Sequence, residues 1–356
     1  MKKVVVAMSG GVDSSVAAAL LKKEGYEVVG VTLRLFAEEK NAVKCCGGAE
    51  SAAKARSSAD ALGIRHYFKS AQGLFSEKVI KNFVDGYLAG STPNPCVECN
   101  RYLKFSYLTD LAHSMGADYL ATGHYAEIRK AADGCGLFRG ADPLKDQSYF
   151  LYCLKRAQLG RLLFPLGGME KKEIRRIAAE LGLPSAAQAE SKDICFVTGG
   201  NYNTYLKNSA AVKPRPGAIL DETGRRIGTH KGFFNFTVGQ RRGTGVYGGR
   251  RLYVIELRPA ANEVVLGELA AACSPAFSVK ELNWLAPAPA GPFNTTAQIR
   301  YRHKPVPCVV TPRGGGADVV FERPEFAVAP GQSVVFYGGD RVLGGGIIER
   351  AARRGE

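Results

Sequence analysis

Lys3-Val4-Val5-Val6-Ala7-Met8-Ser9-Gly10-Gly11-Val12-Asp13-Ser14-Ser15-Val16-Ala17-Ala18-Ala19-Leu20-Leu21 passes from a β-branched run, through two glycines, into an alanine-rich helical pattern. The reading is a strand, a tight turn and a helix. Gly10 and Gly11 let the backbone come close to a ligand, while the open N–H groups of a helix start attract an anion such as a phosphate. Ser9, Ser14 and Ser15 add hydroxyl donors. Asp13 either caps the helix or helps hold a Mg²⁺ beside the anion.

A capped turn of this kind occurs in any doubly wound sheet, so the wider string has to narrow it. No G-x-x-x-x-G-K-[ST] occurs in the chain, which excludes a Walker-type phosphate loop. Ser9 to Ser15 resembles instead the pyrophosphate loop (PP-loop) of the ATP-pyrophosphatase superfamily, whose members split ATP into AMP and pyrophosphate and adenylate a carbonyl oxygen. That likeness leaves the acceptor open.

The 356 residues suggest about two or three domains. A formal net charge of +15 favours a polyanionic partner, nucleic acid ahead of a membrane surface, because no basic amphipathic helix with a strong apolar face is apparent. No signal-type apolar core follows Met1-Lys2-Lys3, and no apolar run approaches the ~18 residues that span a bilayer. A cytoplasmic location is therefore expected, and in a reducing compartment the nine cysteines are read first as thiols.

Further along, Val28 to Leu35, Ile64 to Phe68 and Tyr119 to His124 read as strands, with helices over Glu50 to Leu62, Phe75 to Leu88 and Tyr102 to Met115. This alternation predicts an α/β fold whose parallel sheet binds ligand beyond the carboxyl ends of its strands, near Leu33, Gly123 and His124. A charged helix follows over Glu170 to Leu181. From Pro214 the chain turns to short β-rich runs punctuated by glycine and proline, including Phe233 to Val238, and from Asn294 to Ile348 the strands suggest a small barrel. The G-x-G-x-x-G at Gly243, Gly245 and Gly248 is no dinucleotide fingerprint, because a strand and not a helix follows it. Arg241, Arg242, Arg250 and Arg251 flank that loop as phosphate grips or as a solvated basic surface.

The cysteines divide by setting. Thr92-Pro93-Asn94-Pro95-Cys96-Val97-Glu98-Cys99-Asn100 puts two thiols three residues apart in a proline-rigid turn before a helix, where a thiol's pKa falls from ~8.5 toward neutrality. Cys195 stands in a polar setting beside Lys192, and Cys45-Cys46 is a vicinal pair. Cys135, Cys153, Cys273 and Cys308 read as packing residues. Half a zinc site, a redox pair or a nucleophile remain open for C-x-x-C, and Cys96, Cys99 and Cys195 also suit three ligands of an iron–sulfur cluster.

Together with the pyrophosphate loop, several ordered motifs resemble the bacterial tRNA-specific 2-thiouridylases (the MnmA family) from Val4 to Glu349. They are Thr-Pro-Asn-Pro-x-x-x-Cys-Asn with Leu103-Lys104-Phe105, Ala121-Thr122-Gly123-His124-Tyr125, Lys145-Asp146-Gln147-Ser148-Tyr149-Phe150, Ile194-Cys195-Phe196, Thr237 to Gly243, and Gly344-Gly345-Gly346-Ile347-Ile348. The resemblance implies a PP-loop catalytic domain (1–200, adenine nucleotide alpha hydrolase-like), a central β-rich domain (201–272) and a C-terminal β-barrel (273–356). It implies ATP-dependent thiolation, with Mg²⁺, of the wobble uridine in tRNAs for lysine, glutamate and glutamine. By position, Ala7, Met8, Ser9, Gly10, Gly11, Val12, Asp13, Ser14, Leu33 and Gly123 would bind ATP. Cys99 matches the nucleophile and Cys195 the cysteine that carries a persulfide, supplied by a cysteine desulfurase or relay protein and resolved by Cys99 through a transient disulfide bond or by release of sulfide. Asn94, Pro95 and Cys96 would face the target base, while His124, Lys145, Asp146, Gln147, Arg300, Tyr301 and Gln332 would touch tRNA.

The chain departs from the family at Cys96, where well-studied members carry an Asp. A neutral thiol is a poor general base, so Glu98 or His124 is expected to take the proton, or Cys96 completes the metal cluster. Two other classes stay in view: a nitrogen-transfer ligase of the same superfamily, which leaves the thiols and the basic surplus unexplained, and an RNA-binding protein for which ATP is a structural ligand.

Overall fold

The computed structural model describes residues 1–36, 48–186, 194–197, 202–209, 213–246 and 249–352. Cys45, Cys46, Lys192 and Gly248 lie outside the described residues. The chain forms two units, the first made of Met1–Ile80, Pro95–Gly200 and Gly339–Val342, the second of Lys81–Asn94, Asn201–Gly338 and Leu343–Glu356.

In the first unit, β1 (Lys3–Ala7) leads through the glycine turn into α1 (Val12–Lys23), followed by β2 (Glu27–Arg34), α2 (Ala49–Ala61), β3 (Arg65–Ser70) and β4 (Tyr119–Ala121). An antiparallel hairpin, β5 (Ala126–Ala131) and β6 (Gly134–Arg139), precedes the two-residue β7 (Leu162–Leu163). The sheet is parallel in the order β3-β2-β1-β4-β7. Strand order reverses between β1 and β4, and ligands bind such sheets at that crevice. Val4, Val5 and Val6 are fully buried, as a central parallel strand requires.

The alanines of α1 have a packing reason. Ala18 and Leu21 meet the sheet and Ala55 and Ala59 of α2, while Val16 and Ala17 meet Ile174 and Ala178 of the helix Lys171–Glu180. A helix covered on both sides needs small residues so that neighbouring backbones can approach.

Two helices differ from the sequence reading. The segment expected to run unbroken from Phe75 is a four-residue α-helix, Gln72–Phe75, then a π-helix, Ser76–Ile80, and then the helix Lys81–Leu88. The segment read as starting at Tyr102 begins at Cys99 and is π-wound to Tyr107 before Leu108–Ser114 continues it as an α-helix. Apolar spacing registers helix but is too coarse to separate the two windings.

In the second unit, Tyr87 of the helix Lys81–Leu88 stacks on Tyr202 with ring centroids 4.8 Å apart. A four-stranded sheet joins Tyr253–Arg258, Glu263–Gly267, Gly217–Leu220 and Arg226–His230 around Ile219, Val254, Val264 and Leu266. A closed barrel follows, built from Cys273–Trp284, Phe293–Gln298, Val306–Arg313, Gly316–Phe326, Ser333–Gly338 and the strand Arg341–Ala351 from Leu343 onward. Cys273–Trp284 pairs with strands on both sides and so closes the ring, which leaves no open edge. The expected strand over Phe233 to Val238 is instead a 3₁₀ turn, Phe233–Asn235: Gly232 takes φ +139° and the Asn235 amide donates back to the Gly232 carbonyl at 2.8 Å.

Candidate active site

The turn after β1 is held shut by its own serines. Ser9 N–H donates to Ser14 Oγ at 3.2 Å, and the Ser14 and Ser15 hydroxyls donate to the Gly11 carbonyl at 3.0 and 3.2 Å. Gly10 has φ +81°, and a Cβ there would stand 2.2 Å from the Ser51 carbonyl of α2, so only glycine fits. Met8 donates its N–H to Val31 at 2.8 Å and its carbonyl accepts from the Thr32 hydroxyl at 2.6 Å, which pins the loop's root to β2 just before Leu33.

Asp13 is not the helix cap. Gly11 occupies the cap position without a side-chain bond. Asp13 Oδ1 instead accepts from Lys171 Nζ at 2.6 Å and from the Tyr125 hydroxyl at 2.5 Å, with the ammonium 5.6 Å from the centre of the Tyr125 ring. Lys171 is only 8% exposed, and its backbone N–H donates to Asp142 Oδ2 at 3.1 Å. A buried cation therefore stands at the mouth of an anion-attracting loop.

Gly123 closes the same crevice from β4. A Cβ there would lie 2.8 Å from the Asp13 carbonyl carbon and 2.9 Å from Ser14 N, so the two loops predicted to share a ligand are in backbone contact.

The next residue turns the other way. His124 Nδ1 lies 2.7 Å from Thr122 Oγ1, and Nε2 lies 3.4 Å from Nζ of Lys104, on the helix that starts at Cys99. An ammonium only donates, so Nε2 is the acceptor and Nδ1 carries the proton. The ring sits between Phe105 and Phe164, with centroids 5.7 and 5.9 Å away. Burial first, and the Lys104 charge second, hold its pKa well below the usual histidine value. In this structure the ring expected to touch tRNA or take a proton is buried and already engaged on both nitrogens.

Asp146 and Gln147 are half-buried and bonded within their own turn. Asp146 binds Arg139 at 2.8 Å and accepts from Gly140 N and from Ser148 N and Oγ, while Gln147 exchanges bonds with the Tyr125 backbone. They fix a turn on which Leu144 is 80% exposed and Lys145, like them, is half-buried.

Around the thiols, Pro95–Glu98 is a single helical turn leading into the Cys99 helix. Asn100 donates to the Phe150 carbonyl at 2.9 Å, and the buried Cys153 thiol sits 3.6 Å from the Val97 carbonyl. Cys96 is exposed, and Cys99 and Cys195 are half-buried. Glu98, offered as a base, is buried with Arg101 Nε 3.7 Å from its carboxylate. No disulfide joins the described cysteines, and among the described residues no group of three or more His, Cys, Asp or Glu side chains is arranged to hold a metal ion. The cluster expected on Cys96, Cys99 and Cys195 does not fit that arrangement.

In the second unit, Gln332 donates to the Thr92 carbonyl at 2.8 Å, two residues before Asn94, and Thr92 N–H donates to Pro330 at 2.7 Å. Arg300 lies over the Phe326 ring at 5.7 Å, and Tyr301 is half-buried under Arg302 at 5.5 Å. Arg241, Arg242, Arg250 and Arg251 are all exposed.

Family models match along the whole chain: a tRNA methyl transferase HUP domain over 2–199, a tRNA methyl transferase PRC-barrel domain over 203–268 and an aminomethyltransferase beta-barrel domain over 274–348. The chain is 45% identical to the tRNA-specific 2-thiouridylase of Geotalea uraniireducens over 98% of its own length and 96% of that protein. It is 46% identical to the counterpart in Carboxydothermus hydrogenoformans, covering 98% of each chain, and 47% identical to that in Chloroflexus aurantiacus, covering 98% and 99%. The chain belongs to the tRNA-specific 2-thiouridylase family. Its fold is that of the family: a parallel-sheet HUP domain, a central β domain and a C-terminal β-barrel.

For this 2-thiouridylase the sequence reading gave no role to Lys171, Tyr125, Thr122 or Lys104. Tyr125, Thr122 and Lys104 stand inside quoted motifs, but Lys171 lies 158 residues from its partner in a helix that reads only as charged.

Proposed function

We propose that this chain thiolates carbon 2 of the wobble uridine in tRNAs for lysine, glutamate and glutamine, using ATP and a persulfide sulfur. The observation that carries the reading is the pair Gly123 and His124. One residue presses on the Asp13–Ser14 backbone, and the next contacts Lys104 on the Cys99 helix, so a nucleotide-splitting loop and a thiol helix meet at the end of one strand.

The oxygen on carbon 2 of uracil is a poor leaving group, and AMP is a good one. The uracil oxygen attacks the α-phosphorus and pyrophosphate leaves into the turn from Ala7 to Ser14, whose backbone is fixed before the reaction by its own serines. Leu33 and Gly123 complete the nucleotide pocket. Lys171 exchanges its Asp13 partner for phosphate oxygens. Asp13, whose carboxylate stands at this loop, would hold Mg²⁺, which would neutralise charge on the phosphates. No step passes through an iron–sulfur cluster.

The terminal sulfur of the Cys195 persulfide then attacks carbon 2 and AMP departs. Cys99 thiolate attacks the Cys195 sulfur, which leaves the thiocarbonyl on the base and a Cys99–Cys195 disulfide. The two electrons that reduce the persulfide sulfur come from the two thiols, and an external thiol reductant resets them. A cysteine desulfurase or relay protein supplies the persulfide.

Asn94, Pro95 and Cys96 face the everted base, and Lys145, Arg300, Tyr301 and Gln332 hold the RNA, helped by the +15 surplus. The test is mass spectrometry of nucleosides from unmodified tRNA incubated with ATP, Mg²⁺ and a persulfide donor. 2-Thiouridine at the wobble position with stoichiometric AMP supports the reading; AMP without thiouridine contradicts it.

A further inference from the structure

The winding of the Cys99 helix has a chemical consequence. In an α-helix a residue five positions on points about 140° away from the first. In a π-helix each residue turns the chain less, by about 80°, so that offset falls to about 50° and Cys99 and Lys104 share one face. Such π segments are rare and occur frequently at functional sites.

Lys104 is also held in place. His124 Nε2 accepts from its ammonium at 3.4 Å, with Thr122 fixing the ring from the far side at 2.7 Å. Neutral imidazole orients a cation without cancelling it, and among the described residues no carboxylate lies within ion-pair distance of Lys104. The charge is spent on its surroundings. Burial pushes the Cys153 thiol up to about 12, and the charges of Arg101 first and then Lys104 work against it.

Other charged groups stand around this helix. Arg101 pairs with Glu98 at 3.7 Å. From the preceding π-turn, Lys78 pairs with Glu77 at 2.7 Å and lies 5.9 Å over the Tyr102 ring. Asp110 and His113 belong to the continuing helix Leu108–Ser114, and Cys96 is exposed on the turn before.

We propose that Lys104 is the positioning cation that keeps Cys99 a thiolate, with the π-turn setting its height and His124 its aim. This rests on the reading of Cys99 as the attacking thiol. It also gives the buried His124 a task of its own.

The experiment follows alkylation of Cys99 by iodoacetamide against pH, by peptide mass mapping, in the full chain carrying Cys96→Ser. Cys153 stays protonated through the range and does not interfere. Lys104→Met is expected to raise the alkylation midpoint by about one pH unit, slowing reaction about tenfold at pH 7. Lys104→Arg is expected to restore the rate to within about threefold, and His124→Asn to give a smaller rise than Lys104→Met. Circular dichroism checks each fold, and Lys104→Gln replaces Lys104→Met if the latter misfolds. A midpoint unchanged in Lys104→Met or Lys104→Gln overturns the inference. Thiolation that persists in Cys99→Ser removes instead the reading it rests on.

Discussion

Phe196, the residue after Cys195, packs edge-on against Phe75 with ring centroids 5.8 Å apart. Phe75 ends the helix Gln72–Phe75, which continues as the π-turn whose Lys78 covers Tyr102, three residues past Cys99. Residues close in sequence to the two cysteines of the proposed sulfur transfer, Phe196 and Tyr102, thus pack on one short helical segment. Phe75→Leu keeps an apolar side chain but loses the ring edge, and it is expected to slow oxidant-driven formation of a Cys99–Cys195 disulfide several-fold while ATP binding is unchanged. Equal disulfide rates in both proteins would show that this contact does not bring the thiols together.

Cys99→Ser and Cys195→Ser should each abolish 2-thiouridine formation, with tRNA affinity within about twofold of wild type. Filter binding on the same preparations separates lost chemistry from lost binding.

Lys171 meets the phosphate loop as a buried, charge-assisted partner of Asp13. Such bonds contribute about 1.5–3 kcal/mol, so Lys171→Met is expected to weaken ATP binding by about ten- to a hundredfold in calorimetry. An unchanged affinity would confine Lys171 to orienting Asp13.

Gly123→Ala places a methyl group against the Asp13 backbone and is expected to cost at least about tenfold in ATP affinity with the far-UV spectrum retained. Gly168→Ala, where a Cβ meets nothing within 4 Å, is the matched control and is expected to bind as wild type.

Burial lowers the His124 pKa, so the unfolded chain takes up a proton near pH 6.5 that the folded chain refuses. Stability is then full above that pH and falls as pH drops through it, by about 1.4 kcal/mol per pH unit for this group. His66, His230 and His303 are shifted in the same direction, chiefly by burial, and add to the trend. Urea titrations between pH 8 and 5 should show this loss, and His124→Asn should reduce its slope by one proton.

The legible part of the site was its local part. A β-branched run, two glycines and alanines state strand, turn and helix within a few residues, and the likeness of ordered motifs to a family carried the cysteines. What pairs at distance was not legible: Lys171 with Asp13, or Arg341 donating to both Asp133 carboxylate oxygens at 2.8 Å across 208 residues. Nor was the π-winding, because residues Cys99 to Tyr107 satisfy any helical period; the geometry comes from Asn100 tied to Phe150 and Lys104 tied to His124. The bonds of Asp146 to Arg139 and of Gln147 to the Tyr125 backbone were not legible either, because sequence shows a side chain's type and not its direction.

The central claim is that persulfide sulfur on Cys195 reaches the base and that Cys99 then closes a disulfide with it. Loading the enzyme with a ³⁴S-labelled persulfide, adding ATP and unmodified tRNA for one turnover, and mapping both products by mass spectrometry tests it directly. The expected result is one ³⁴S per wobble uridine with one Cys99–Cys195 disulfide formed in step. Labelled thiouridine appearing at the wild-type rate from Cys195→Ser, or with both thiols still reduced and no reductant present, would contradict it.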